Sequence, residues 1–190
     1  EAELRARELP TPAAARSNVA PIRKSVVLCC PGAGFSDTWN AHTFTLLAKM
    51  MYDFSVFAPM WGYSSNVYII RSSMAARLLE AKSKPDLVLW LDSDNLLSYE
   101  DFQMLAADLE ENPAADIVAA WAWCRPHDYR TEQKISVGRR NTAGKLAPLT
   151  LPDLAAAPAD LVPVDYTGFP AVLMRYSALE RVGEGGFAPL

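Results

Sequence analysis

Residues 25–30 and 87–91 are continuous apolar runs with no alternation, Ser-Val-Val-Leu-Cys-Cys and Leu-Val-Leu-Trp-Leu. Runs of this length without a polar face predict strands buried on both sides, as in a parallel sheet. Around them the period changes. Residues 38–51 place Trp39, Phe44, Leu47, Ala48 and Met51 at near-helical spacing. Residues 54–60 read as a second strand, ended by Pro59 and a loop over 61–66. The apolar stretch 67–70 reads as a strand-like passage into a helix over 71–82, whose stripe is Met74, Ala75, Leu78 and Leu79. Ser98 to Asp101 resembles a capping box, and Phe102, Leu105, Ala106 and Leu109 follow at helical spacing until Asn112-Pro113. Asp116 then opens an apolar strand over 117–123, closing on Trp123. Strand and helix thus alternate across 25–123, which predicts an α/β fold with a mostly parallel sheet.

The remainder has another character. Ile135 and Val137 alternate with polar residues, and residues 141–145 (Asn-Thr-Ala-Gly-Lys) predict a turn between two strands. Residues 149–162 read as loop with a short helix, interrupted by prolines; an apolar strand over 171–174 and a helix over 177–182 follow. Residues 1–23, rich in Ala, Arg and Pro, predict a flexible tail or linker, and 24–190 a single domain. The last six residues supply no closing element, so the domain is expected to be truncated at its C-terminus.

Composition narrows the class. With 51% hydrophobic and 21% charged residues in 190, the chain can bury a core and is not of disordered type. A net charge of −4 provides no global attraction to nucleic acid or anionic lipid. Three cysteines, two of them adjacent in an apolar run, point to reduced thiols and a cytoplasmic setting. No apolar segment reaches the length of a membrane span. Cys124 and His127 are too few for a structural zinc site.

The candidate chemistry sits at the strand ends. Asp92 and Asp94 flank Ser93 immediately after the 87–91 run, where open α/β sheets place their ligand crevice. Twelve aspartates in 190 residues give about one Asp-x-Asp by chance, so the strand context carries the inference. Two adjacent carboxylates predict an oxygen-ligated Mg²⁺ or Mn²⁺ between them. Pro31, Gly32, Ala33 and Gly34 end the first strand in a loop whose backbone can approach a ligand closely. A dinucleotide reading of Gly32-x-Gly34 with Asp53 competes, although Asp37 holds the third glycine position. No Gly-Lys-Ser/Thr follows to make a P-loop. Arg71, read as standing at a helix start, makes sense there if it faces an anion such as a pyrophosphate. Trp61 and Tyr63, flanking Gly62, offer rings for a base or sugar or else pack within the loop.

Four segments in order resemble a GT-A-fold glycosyltransferase of the family 2 kind. They are the opening strand with Cys30-Pro31-Gly32, the passage over 66–76, the Leu87–Leu91 strand with its Asp-Ser-Asp, and Val164-Asp165-Tyr166-Thr167-Gly168-Phe169 before Leu173-Met174-Arg175. The resemblance implies a three-layer sandwich that binds a UDP- or GDP-sugar through Asp92, Ser93 and Asp94. It implies Asp94 on the metal, and Asp92 on the ribose or on the metal through water. Arg71 would add positive charge at the phosphates, and Pro31, Gly32 and Ala33 would lie beside the nucleobase. Trp123, Gly168 and Phe169 would border the sugar and an unidentified acceptor. The family's acidic pair and later histidine fall beyond residue 190, so no catalytic base is assigned. A non-catalytic binding domain of the same fold and a Rossmann-type nucleotide enzyme are the alternatives.

Overall fold

A computed structural model describes residues 24–122, 135–156 and 161–183. The two apolar runs are adjacent parallel strands, β1 (Ser25–Gly32) and β4 (Leu87–Leu91), with Val26 opposite Leu87 and Cys29 opposite Trp90. Their lack of alternation has a direct cause. Val26, Leu28, Leu87, Leu89 and Leu91 face one helical layer, while Val27, Cys29, Val88 and Trp90 face the other. The first layer holds α1 (Asp37–Asp53) and α3 (Tyr99–Glu111), through Trp39, Leu46, Met50, Phe102, Leu105 and Leu109. The second holds α2 (Val67–Glu80) and α5 (Tyr176–Val182), through Met74, Ala75, Leu78, Tyr176 and Leu179. The result is an α/β sandwich of three layers. Burial holds the thiols of Cys29 and Cys30 far above their ordinary pKa.

The sheet runs β2 (Ser55–Val56), β1, β4, β9 (Ala171–Arg175), β5 (Ile117–Ala120), with β3 (Met60–Tyr63) also on β1. β1 is parallel to β2, β3 and β4, whereas β9 is antiparallel to both β4 and β5. A single reversed strand therefore lies within an otherwise parallel set. A small antiparallel sheet orders β7 (Leu146–Pro148), β6 (Val137–Arg140) and β8 (Tyr166–Thr167), and β8 leads directly into β9. The expected turn over 141–145 joins β6 to β7, and the short helix is α4 (Leu151–Ala155), capped reciprocally by Thr150 and Asp153.

Three element expectations change. The strand expected over 54–60 is two pieces, because Phe57 still bonds Val26 but the chain leaves β1 at Ala58-Pro59 and returns at Met60. Residues 61–63, expected as loop, belong to that returning strand. Residues 67–70 are the first turn of α2 and not a strand, because the Asn66 side chain accepts from the Tyr68 and Ile69 amides and caps the helix there. Trp123, Cys124 and His127 lie outside the described residues, as do residues 1–23. No helix among the described residues is long and apolar enough to cross a membrane.

At the amino end of the sheet, Asp86 and Ser25 clamp β4 to β1. The Asp86 carboxylate accepts from the Ser25 amide at 2.8 Å and its hydroxyl at 2.7 Å, while the Asp86 amide donates to the Ser25 carbonyl at 3.0 Å. The Ser25 amide, then its hydroxyl, hold the carboxyl below its usual range. A depressed carboxyl contributes stability above its unfolded pKa of about 4 and loses it as pH falls through the lower folded value. Asp86→Asn should cost roughly 1 kcal/mol at pH 7, with the gap to wild type closing in acid, as read by urea unfolding at pH 7 and pH 3.

Candidate functional site

All the parallel strands point their carboxyl ends to one edge, and the loops there border an open cleft of about 550 Å³. Residues 31–34, Ser36, Val67 and residues 92–94 line it. Five of the loop and strand-end residues expected at a nucleotide site are thus brought together with Asp92: Pro31, Gly32, Ala33, Ser93 and Asp94. The volume falls within the range of small-molecule and cofactor sites. Ser36 caps α1 by accepting from the Trp39 amide, so α1 and α2 both begin at this cleft, their positive dipole ends toward it.

Each carboxylate has its own environment. Asp94 is exposed, and the Asn95 side-chain amide donates to one of its oxygens at 2.8 Å. Asp92 is drawn inward. Its amide donates to the Pro170 carbonyl at 3.4 Å, and its carbonyl accepts from the Trp39 indole at 3.2 Å. Both of its carboxylate oxygens accept from one Arg71 nitrogen, at 2.7 and 2.8 Å. Burial pushes the Asp92 carboxyl up to about 6; Arg71 opposes this by charge and by hydrogen bond, and Asp94 adds to it.

Arg71 is the clearest departure from expectation. It sits in the second turn of α2, not at its start, and is only 6% exposed. The ring of Phe169 covers its guanidinium at 4.6 Å from the centroid, and its buried Nε has no hydrogen-bond partner. Arg71, Asp92 and Phe169 form a stack of three segments remote in sequence.

Gly168 lies against residue 136. A Cβ there would approach Ser136 Cβ at 3.1 Å, so the room its missing side chain leaves is taken by residue 136. The aromatic ring of Trp61 packs against Phe35, Trp39 and Phe44, leaving Tyr63 more exposed beside Phe35. Asp53, the acid of the dinucleotide reading, ends α1 at the amino edge of the sheet and accepts from the Tyr99 hydroxyl. It stands at the opposite edge from Gly32 and Gly34, which removes that reading's ribose contact.

Sequence reasoning missed Ser36 and Trp39 as parts of the site. Ser36-Asp37 before a periodic segment is a readable N-cap signal. The indole contact of Trp39 has no such signal, because its partner is 53 residues away.

Asp92 and Asp94 have the hard-oxygen chemistry that Mg²⁺ or Mn²⁺ takes. No group of three or more His, Cys, Asp or Glu side chains among the described residues could hold a metal. Mg²⁺ is commonly held by one or two carboxylates with substrate phosphates and water completing its shell. The pair fits a site of that kind and does not fit a cage made by protein alone.

No family model and no curated protein matches the chain. Among solved structures, CMP:2-keto-3-deoxy-manno-octonic acid synthetase complexed with CTP aligns over 83% of this chain and 76% of its own, with 14% identity and a TM-score of 0.45. That similarity is too distant to assign an activity.

Gly32 tests the cleft's construction. A Cβ there would lie 2.2 Å from Ser93 Oγ and 2.4 Å from Ser93 Cβ. Gly32→Ala should therefore shift residues 92–94 and destabilise the protein by about 1–3 kcal/mol, measured by denaturant unfolding.

Proposed function

We propose that the cleft binds a nucleoside diphosphate sugar together with Mg²⁺ or Mn²⁺, and that the chain carries the donor site of a GT-A-type glycosyltransferase. The observation that supports this most is the carboxylate pair at the carboxyl end of β4, facing the glycine loop at the end of β1 across one cleft. UDP- and GDP-sugars are the donors the reading implies; the acceptor is left open.

The chain's own residues divide the work. Asp94, exposed and held through Asn95, presents a carboxylate oxygen to the cation. Asp92 is fixed at main chain and side chain, and offers its remaining lone pairs to a ribose hydroxyl or a metal-bound water. The open space around Gly34 lets the 31–34 backbone approach the nucleobase, since nothing lies within 4 Å of where its Cβ would stand. When bound, the cation would neutralise charge developing on the leaving diphosphate. The helix starts at Ser36 and Val67 add positive potential on the same side.

Calorimetry with UDP- and GDP-sugars, with and without Mn²⁺, is the test. Wild type should bind one donor class only with metal, and Asp94→Ala should weaken that binding at least about tenfold. Binding indifferent to metal, or no binding to either donor class, would refute the proposal. Donor binding without sugar transfer or hydrolysis would favour the non-catalytic binding domain instead.

A further inference from the structure

The sequence leads one to expect Arg71 to touch the donor's phosphates, whereas its guanidinium is turned to Asp92 and the residue is only 6% exposed. One nitrogen is committed to both Asp92 oxygens, Nε is buried, and the Phe169 ring covers one face. We propose that Arg71 is a positioning residue that acts on the cleft solely through Asp92, holding that carboxylate in one orientation, with Phe169 holding Arg71. This inference rests on the reading of the cleft as a metal–nucleotide site.

The geometry gives Asp92 a reason to need such a partner. Its main chain is pinned from two sides, by Trp39 of α1 and by Pro170. Those contacts leave the side-chain torsions free, and a carboxylate free to rotate presents its lone pairs in many directions. Two hydrogen bonds from one Arg71 nitrogen, one to each carboxylate oxygen, remove that freedom. A lysine at position 71 could supply the charge but not the planar, pre-organised donor group. Phe169 completes the arrangement in a left-handed backbone conformation, φ 65°, that a bulky residue adopts only when its surroundings hold it there.

The test is a double-mutant cycle read in two ways. In the unliganded protein, urea unfolding of Arg71→Gln, Asp92→Asn and the double variant should show non-additive losses, the mark of a direct contact. In parallel, UDP and GDP are titrated with and without Mn²⁺. For whichever nucleotide binds, Arg71→Gln should weaken metal-dependent binding about tenfold when Asp92 is present and have no further effect in the Asp92→Asn background. Arg71→Lys should recover part of the loss. Phe169→Leu, which leaves the ion pair in place, should weaken metal-dependent binding less than Arg71→Gln, and it serves as the second variant if Arg71→Gln does not fold.

A loss from Arg71→Gln that persists undiminished in the Asp92→Asn background would overturn the proposal in favour of direct phosphate contact. Lowered stability with unchanged nucleotide binding would overturn it in favour of a structural clamp. If stability coupling is present but unmutated protein binds neither nucleotide, the nucleotide reading of the cleft falls, and the positioning role falls with it.

Discussion

A buried guanidinium cannot stand alone, and the site is organised around that constraint. Removing an ion from water costs several kcal/mol even after the protein relaxes, unless an opposite charge and hydrogen bonds replace the hydration. Arg71, 6% exposed, meets that demand with Asp92 and the face of Phe169. Asp92 is in turn the first residue after a strand whose five residues are all buried. Its carboxylate emerges where the core gives way to the cleft, and Arg71 reaches it from the α2 layer while Trp39 reaches its carbonyl from the α1 layer. Both helical layers therefore converge on one residue at the end of one strand.

What the sequence revealed follows from how local each determinant is. β1 and β4 were legible because helices cover both faces, which leaves no polar alternation to confuse the reading. α1 and α3 were legible through period and caps, Ser98 accepting from the Asp101 amide as its position implied. The start of α2 was obscured because Val67-Tyr68-Ile69-Ile70 has strand-like composition, and only the Asn66 cap decides otherwise. β3 was hidden because its pairing with β1, Cys29 to Met60 and Gly32 to Tyr63, spans about thirty residues and leaves no short-range mark. The reversal of β9 is likewise a fact of pairing, absent from its own five apolar residues.

The same distinction divides the site. Asp92, Ser93, Asp94 and the 31–34 loop are placed by strand ends, so recognising the strands was enough to bring them together. Arg71 needed more. Its partner lies 21 residues on and across the sheet edge, and its depth depends on the helix beginning four residues earlier than the apolar stripe implied. Gly168 looked like room for a ligand but is packed against Ser136. A glycine in sequence announces a close approach without saying what approaches.

The small sheet acquires a purpose from these contacts. Phe169 precedes a proline, a position that favours extended backbone, yet it adopts φ 65°. Such a conformation costs about 1–3 kcal/mol and persists only where neighbours over-determine it. The Gly168 amide bonds the Ser136 carbonyl at 2.6 Å, the Phe169 amide bonds the Thr167 hydroxyl, and Pro170 hands on to β9. Through Pro170 the same link reaches the Asp92 amide, and through the Phe169 ring it reaches Arg71. The β6–β8 pairing thus sets the strained link, the link covers the guanidinium, and the guanidinium orients the carboxylate. By this chain of contacts the Ser136 carbonyl is linked to the Asp92 main chain through Pro170, and to its carboxylate through Phe169 and Arg71.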